Sequence, residues 1–314
     1  MYSDKYKELD KLRGRHKIGI TLIIIMILIT FVSPFALIFA SGYIETAPVE
    51  SVSGMLIFPS FILGIIIYIF LCYPYNKIKR EINDTVKTQL LKTEFDYAFN
   101  NTYKEEDIDE LRTTLHDMGV FASTELDDCF SVKYNNVRVS RVDADIYRSD
   151  DDGTITYFFG PIYIFDTKDY IDGDLYIGSK KKGLLLTTNT IDRLFKLKEY
   201  NEVIPHSSYL NDNIVFKSMG NPSIIENATF QQAINKLIDN PEDESGSKYR
   251  LVYKNYKLYV FNYNGNNPFE INIDKREDET TSKDKIRTDI GSFKHDLDTI
   301  LQFKDILSIK EDMF

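Results

Sequence analysis

The chain has 314 residues, a formal net charge of −10 and an isoelectric point of about 5.0. Residues 1–76 hold six basic and five acidic residues, so the remaining residues carry a formal charge of −11. We therefore expect no nucleic-acid partner, because nucleic acids attract basic surfaces. Two cysteines in a chain of this length exclude a disulfide framework.

Two uncharged apolar runs stand out near the N-terminus, at residues 18–40 and 55–75. Each is long enough for a membrane helix, which needs about 20 apolar residues. The first run is also longer than the apolar stretch of a secretory signal, which has about 7–15 residues. Residues 18–75 therefore predict a transmembrane hairpin with the lipid bilayer as its partner. Neither run contains a charged side chain, which favours a tether over an ion pathway.

The charges that flank these runs predict their orientation. Residues 1–17 form a basic N-terminus, and Lys77, Lys79 and Arg80 follow the second run. The connecting loop, residues 41–54, contains two glutamates and no lysine or arginine. Because lysine and arginine are retained on the cytoplasmic side, we expect both termini in the cytoplasm and the loop outside.

Residues 76–118 predict a juxtamembrane helical region. Apolar residues recur at helical spacing from Ile78 to Ala98, and again from Ile108 to Met118. Gly119 is placed to end the second of these helices.

Residues 119–314 predict a cytoplasmic domain of the α+β class, with a mainly antiparallel sheet and flanking helices. Short runs rich in β-branched and aromatic residues alternate with turn residues, which is typical of antiparallel strands. A Thr281-x-x-Asp284 capping box predicts the start of the last helix. The predicted strands are 129–133, 137–147, 154–165, 175–179, 184–188, 214–218, 249–253, 258–263 and 269–273, and the helices before the last one are 190–199 and 222–239.

Three carboxylates are the candidate catalytic residues. Asp143 and Asp145 alternate on one face of a predicted strand, an arrangement that would suit acid–base chemistry, and Asp166 directly follows the next predicted strand. The same alternation is typical of a solvent-facing strand, and this is the interpretation that we favour.

Metal and cofactor motifs give no positive signal. The Asp150-Asp151-Asp152-Gly153 segment fails as a calcium loop, because Arg148 and Phe159 would occupy two of its ligand positions. The four histidines are dispersed, and no glycine-rich phosphate-binding motif is present. We therefore expect neither a metal nor a cofactor.

The segment from Phe158 to Asp166 (FFGPIYIFD) carries a family resemblance. A membrane hairpin, a juxtamembrane helix and this aromatic–glycine–aromatic strand resemble the bacterial family known as domain of unknown function 3137. Val215–Ser218, Leu258–Val260 and Pro268–Glu270 are similar as well. The resemblance implies a bacterial inner-membrane protein with a cytoplasmic α+β domain, and it implies no catalytic residues.

The leading hypothesis is a non-enzymatic, membrane-anchored binding or scaffold module with a protein partner at the cytoplasmic membrane face. An anchor without charged groups and a domain without a recognisable catalytic motif motivate it. Two alternatives stay open. One is a carboxylate-based hydrolase built on Asp143, Asp145 and Asp166, and the other is a ligand sensor that reports through the hairpin.

Overall fold

The computed structural model describes residues 2–41, 62–95, 105–118, 123–150, 153–179, 200–206, 209–211, 214–238, 249–263 and 279–312. They divide into two units. The helical unit comprises Met1–Gln89 and Ile271–Lys283, and the sheet unit comprises Leu90–Glu270 and Asp284–Phe314. The elements predicted at 184–188, 190–199 and 269–273 lie outside the described residues.

Two long helices form most of the described part of the helical unit, and the second of them continues past Gln89 into the sheet unit. Helix α1, Tyr2–Ser41, contains the whole first apolar run. Helix α2, Ile62–Glu94, contains a π-helical segment at Tyr68–Cys72. Among the described residues, α2 is the one helix that is long and apolar enough to cross a membrane. The structure therefore shows one candidate span and not the predicted pair.

Helices α1 and α2 pack side by side in antiparallel directions. The His16 ring stacks on the Tyr75 ring with 4.3 Å between their centroids. Further along the pair, Met26 lies beside Gly64, since a Cβ on that glycine would be 3.8 Å from the Met26 Cε atom. Residue numbers rise along α1 as they fall along α2, which defines the antiparallel register.

The two helices approach each other closely at Gly19. A Cβ there would lie 2.8 Å from the Leu71 Cβ atom and 2.9 Å from the Cys72 Sγ atom. Both neighbours belong to the π-helical segment, whose extra residue per turn lets two consecutive side chains face α1. The missing side chain of Gly19 makes room for both.

The buried and half-buried positions of α1 form a seam with intervals of three and four residues, the spacing of packed helix pairs. They are Leu9, Leu12, His16, Gly19, Ile23, Met26 and Thr30, with Arg13 beside them.

Within the residues that the structure describes, the sheet unit is built on one antiparallel sheet of eight strands. Its strands are β1 (Ser123–Tyr134), β2 (Val137–Asp150), β3 (Gly153–Asp166), β4 (Leu175–Ser179), β5 (Asn201–Glu202), β6 (Ile214–Ser218), β7 (Tyr249–Lys254) and β8 (Lys257–Asn262). The spatial order is β1-β2-β3-β8-β7-β4-β6-β5. The α+β class with a mainly antiparallel sheet is confirmed.

Helices cover both faces of the sheet. Helix α3, Glu105–Asp117, packs Leu111 and Leu115 against one face, which we call the α3 face. Helix α4, Ala228–Ile238, and helix α5, Glu279–Leu301, lie on the opposite face, which we call the α5 face. A 3-10 turn at Ser223–Glu226 precedes α4.

Several boundaries differ from the predicted ones, among them the starts of β1, α4 and α5. Strand β1 begins at Ser123, six residues before the predicted start, and a bulge between Asp127 and Phe130 interrupts its pairing with β2. The early part of β1 is acidic, so its composition does not favour a strand. Helix α5 begins at Glu279, two residues before Thr281, so Thr281 is not its N-cap.

Residues 302–312 cross one end of the sheet after α5. The Lys310 N–H donates to the Asp166 carbonyl at 2.8 Å, and the Asp312 N–H donates to the Asn136 carbonyl at 2.7 Å. This segment therefore anchors the end of β3 and the turn between β1 and β2.

Candidate functional site

A polar cleft of about 260 Å³ lies between α3 and the α3 face of the sheet. Both of its walls belong to the sheet unit. We call it the α3 cleft, and its floor, rim and roof come from different elements.

The floor of the α3 cleft is one row of residues across four adjacent strands. Ser131 pairs with Ser140, which pairs with Ile164, which pairs with Tyr259. The two serine hydroxyls are hydrogen-bonded at 2.7 Å. Ser131 and Tyr259 are buried, so the floor is a fixed surface that offers hydroxyl groups and some apolar area.

The rim of the α3 cleft carries charges of both signs. Side chains two residues apart on a strand share a face, so Arg138, Asp166 and Lys257 lie on the same face as the floor. Asp166 is the register partner of Lys257 in the β3–β8 pair. Both of these side chains are exposed, and Arg138 is half-buried.

The roof of the α3 cleft is a stripe of α3. It consists of Asp107, Glu110, Leu111 and Thr114, whose spacing of three and four residues places them on one side of the helix. Two carboxylates of the roof therefore face the cations of the rim.

Three of these charged groups have no direct ion-pair partner among the described residues. Glu110, Asp166 and Lys257 form no side-chain ion pair or hydrogen bond with any other residue that the structure describes. Asp166 is bonded through its backbone carbonyl only, to Lys310. The α3 cleft therefore presents charges of both signs to whatever enters it.

The other two predicted carboxylates lie on the α5 face. Asp143 is buried at 7% exposure, and its Oδ1 atom accepts hydrogen bonds from Arg141 at 3.0 Å (Nε) and 2.7 Å (Nη2). The Arg141 guanidinium in turn lies over the Phe293 ring of α5, 5.3 Å from its centroid. The solvent-face interpretation of Asp143 is wrong, because Arg141 and α5 together bury this carboxylate.

Asp145 lies near a further carboxylate on the same face. Burial raises its pKa, and the negative charge of Glu125 raises it further. Glu125 accepts a hydrogen bond of 2.6 Å from the Tyr147 hydroxyl. Asp145 and Glu125 line a depression of about 190 Å³ with Phe159. Among the described residues, no three His, Cys, Asp or Glu side chains converge in a way that could hold a metal ion.

The structure does not bring the three predicted carboxylates together. Asp143 and Asp145 share the α5 face, whereas Asp166 lies on the α3 face. The sheet separates them, so they form no common acid–base site.

Sequence reasoning missed the cations and the roof carboxylate of the α3 cleft. Arg138 and Lys257 each lie two residues from a floor residue, so strand alternation predicts that they share its face. Glu110 lies on the apolar stripe of α3, so helical spacing predicts that it faces the sheet. No local pattern shows that they meet, because the β3–β8 pairing joins segments about ninety residues apart.

Comparisons of the chain with models of protein families, with curated proteins and with solved structures find no match. The functional argument therefore depends on the chain's own residues.

Proposed function

We propose that the protein is a non-enzymatic, membrane-anchored binding or scaffold module. In this proposal the α1–α2 pair spans the bacterial inner membrane as a two-helix hairpin, and the sheet unit lies in the cytoplasm with both termini. The observation that carries the proposal is the exterior of the α1–α2 pair, which is apolar and exposed.

In residues 18–29 of α1 and 62–73 of α2, nearly all outward positions are large apolar side chains, with an exposure of 70% at Phe70. Soluble proteins rarely expose apolar patches of more than a few hundred square ångströms, whereas lipid tails solvate such a surface. The exposed set is Ile18, Ile20, Leu22, Ile24, Ile25, Ile27, Leu28 and Ile29 on α1, with Ile62, Leu63, Ile65, Ile66, Tyr68, Ile69, Phe70 and Tyr73 on α2.

The basic flanks support the proposed orientation. The contact of His16 with Tyr75 places these two residues at the same level of the helix pair. Arg15 and Lys17 adjoin His16, and Lys77 follows two residues after Tyr75. The cations of both helices therefore gather at one end of the apolar surface, as expected for the cytoplasmic end.

A binding role is supported by the α3 cleft, whereas the alternative of a carboxylate hydrolase loses its geometric basis. Asp166 faces a different side of the sheet from Asp143 and Asp145. The protein partner at the cytoplasmic membrane face and membership of the family domain of unknown function 3137 remain parts of the proposal.

Reporter fusions test the anchor and its orientation. A phosphatase that is active only outside the cytoplasm is fused after Phe314 or inserted in the loop 41–54. We expect silence at Phe314, activity in the loop, and retention of the chain in membranes washed with alkaline carbonate. Activity at Phe314, or release of the intact chain by carbonate, would contradict the proposal.

A ligand sensor is the second candidate, and the α3 cleft together with α2 favours it. Helix α2 runs without a break to Glu94, whose carboxylate pairs with Lys294 of α5 at 2.8 Å. In a sensor, an occupied cleft would change the packing of α1 on α2. The test is the rate of disulfide formation in a His16→Cys/Tyr75→Cys variant. If the protein is a sensor, adding the ligand changes this rate, and if it is only an anchor, the rate stays the same.

A further inference from the structure

The α3 cleft carries a carboxylate on its roof and charges of both signs on its rim. The roof contributes Glu110, and the rim contributes the ammonium of Lys257, the guanidinium of Arg138 and the carboxylate of Asp166. Glu110 and Lys257 form no ion pair with residues that the structure describes, and both line the cleft, whose volume is about 260 Å³.

We propose that the α3 cleft binds a small zwitterion, a free amino acid or a dipeptide. The ammonium group of the ligand lies toward Glu110 and Asp166, and its carboxylate lies toward Lys257 and Arg138. This inference rests on the proposed binding function and names the chemical class of the ligand.

The volume of the cleft limits the size of the ligand. Pockets for drug-sized ligands have volumes of about 300–1,000 Å³, and the α3 cleft is smaller, at about 260 Å³. An amino acid or a dipeptide fits within this volume, whereas a nucleotide or a partner helix would extend outside the cleft.

The signs of the charges limit the class of the ligand. A simple anion that pairs with Lys257 would meet Asp166, the register partner of that lysine. A simple cation that pairs with Glu110 would face Arg138 and Lys257. A zwitterion offers a counter-charge to both signs, in hydrogen bonds that are stronger than those between neutral groups.

The floor of the cleft adds a preference for a small side chain. The mutual hydrogen bond of Ser131 and Ser140 uses one donor and one acceptor, and a hydroxyl has one donor and two acceptor positions. The floor therefore retains polar capacity for the ligand's backbone groups. Leu111 and Ile164 supply a small apolar area that matches a methyl group.

Calorimetric titration of the detergent-solubilised full chain tests this inference. The probes are L-alanine and L-alanyl-L-alanine, with N-acetyl-L-alanine and L-alanine methyl ester as analogues that lack one charge. We expect binding of at least one zwitterion, and a loss of about tenfold or more in affinity when either charge is removed, which corresponds to about 1.4 kcal/mol.

Matched variants assign the two walls. Lys257→Gln removes the preference for L-alanine over its methyl ester, and Glu110→Gln removes the preference over N-acetyl-L-alanine. The controls are Lys236→Gln on α4 and Asp109→Asn, whose side chain pairs with Arg112 away from the cleft. Neither control changes the affinity.

Three outcomes would overturn the inference. They are no heat of binding for either zwitterion by the folded chain, equal binding of N-acetyl-L-alanine, and unchanged affinity in both Lys257→Gln and Glu110→Gln. If the phosphatase fused after Phe314 is inactive and no zwitterion binds, this inference is refuted and the proposed membrane anchor still stands. If that phosphatase is active, the proposed anchor is refuted, and the titration still tests the zwitterion site.

Discussion

Tyr163 of β3 donates a hydrogen bond of 2.6 Å to the Asp296 Oδ2 atom of α5 in the interior of the sheet unit. Asp296 is 2% exposed. It also accepts from the Tyr249 hydroxyl at 2.9 Å and from the Asn262 side-chain amide at 2.8 Å. One buried carboxylate thus joins α5 to three strands of the sheet.

Replacing this carboxylate is expected to destabilise the sheet unit strongly. Asp296→Ala leaves three buried donors without their acceptor, and each such donor costs about 1–3 kcal/mol. We expect the free energy of unfolding to fall by about 3 kcal/mol or more, measured by denaturant titration of the solubilised chain. Asp298→Ala is the control, because Asp298 is exposed and accepts one hydrogen bond, from Tyr134. A similar loss in both variants would contradict the special role of Asp296.

The contribution of Asp145 to the stability of the folded state should depend on pH. Its pKa is raised by burial and by Glu125, so the folded state binds the proton more tightly than the unfolded state, whose pKa is about 3.9. The favourable contribution of this group is therefore present below about pH 4 and is lost as the pH rises through the folded pKa. Asp145→Asn should raise the free energy of unfolding at neutral pH by about 0.5 kcal/mol.

The gain from Asp145→Asn should disappear below about pH 4, where the native carboxyl is protonated. Unfolding curves at several pH values measure this. Asp305→Asn serves as the control, because Asp305 is exposed and pairs with Lys168, and it should bring no gain. A stabilisation by Asp145→Asn that is independent of pH would contradict the electrostatic explanation.

Substitution by alanine should have opposite effects on stability at two glycines of α1, Gly19 and Gly14. Gly19→Ala places a Cβ 2.8 Å from the Leu71 Cβ atom, so the helices must move apart, whereas Gly14 has nothing within 4 Å. We expect Gly19→Ala to lower the melting temperature in detergent. It should also slow disulfide formation between cysteines at 16 and 75. Gly14→Ala should stabilise α1 by up to about 1 kcal/mol, and equal melting temperatures in the two variants would contradict the described packing.

A side chain at position 173 should clash with the backbone of the sheet unit. Its φ of +75° favours glycine, and a Cβ would lie 2.1 Å from the Gly220 nitrogen. Gly173→Ala should lower the free energy of unfolding by about 3 kcal/mol. Gly291→Ala on α5, where nothing lies within 4 Å, should raise it by up to about 1 kcal/mol. Calorimetric melting of both variants is the measurement, and a tolerated Gly173→Ala would contradict this turn.

The elements of the sheet unit were largely predictable from the sequence, and their partners were not. The hairpin of β7 and β8 was located almost to the residue, because alternation and the intervening turn are local signals. The burial of Asp143 was missed. It depends on Arg141, which lies over Phe293 of α5, a residue 150 positions further along the chain. No local pattern reports such a contact.

The sequence by itself determined the positions of the apolar runs, the α+β class, and the acidic character of the residues that follow the runs. These properties depend on composition and on periods of a few residues, which each segment carries independently. Only the tertiary structure decided that β3 pairs with β8, which places Asp166 beside Lys257 and under α3. It also decided that Asp143 lies on the other face. Strand order depends on packing between distant segments, because many orders satisfy the same alternation and only the complete core selects one.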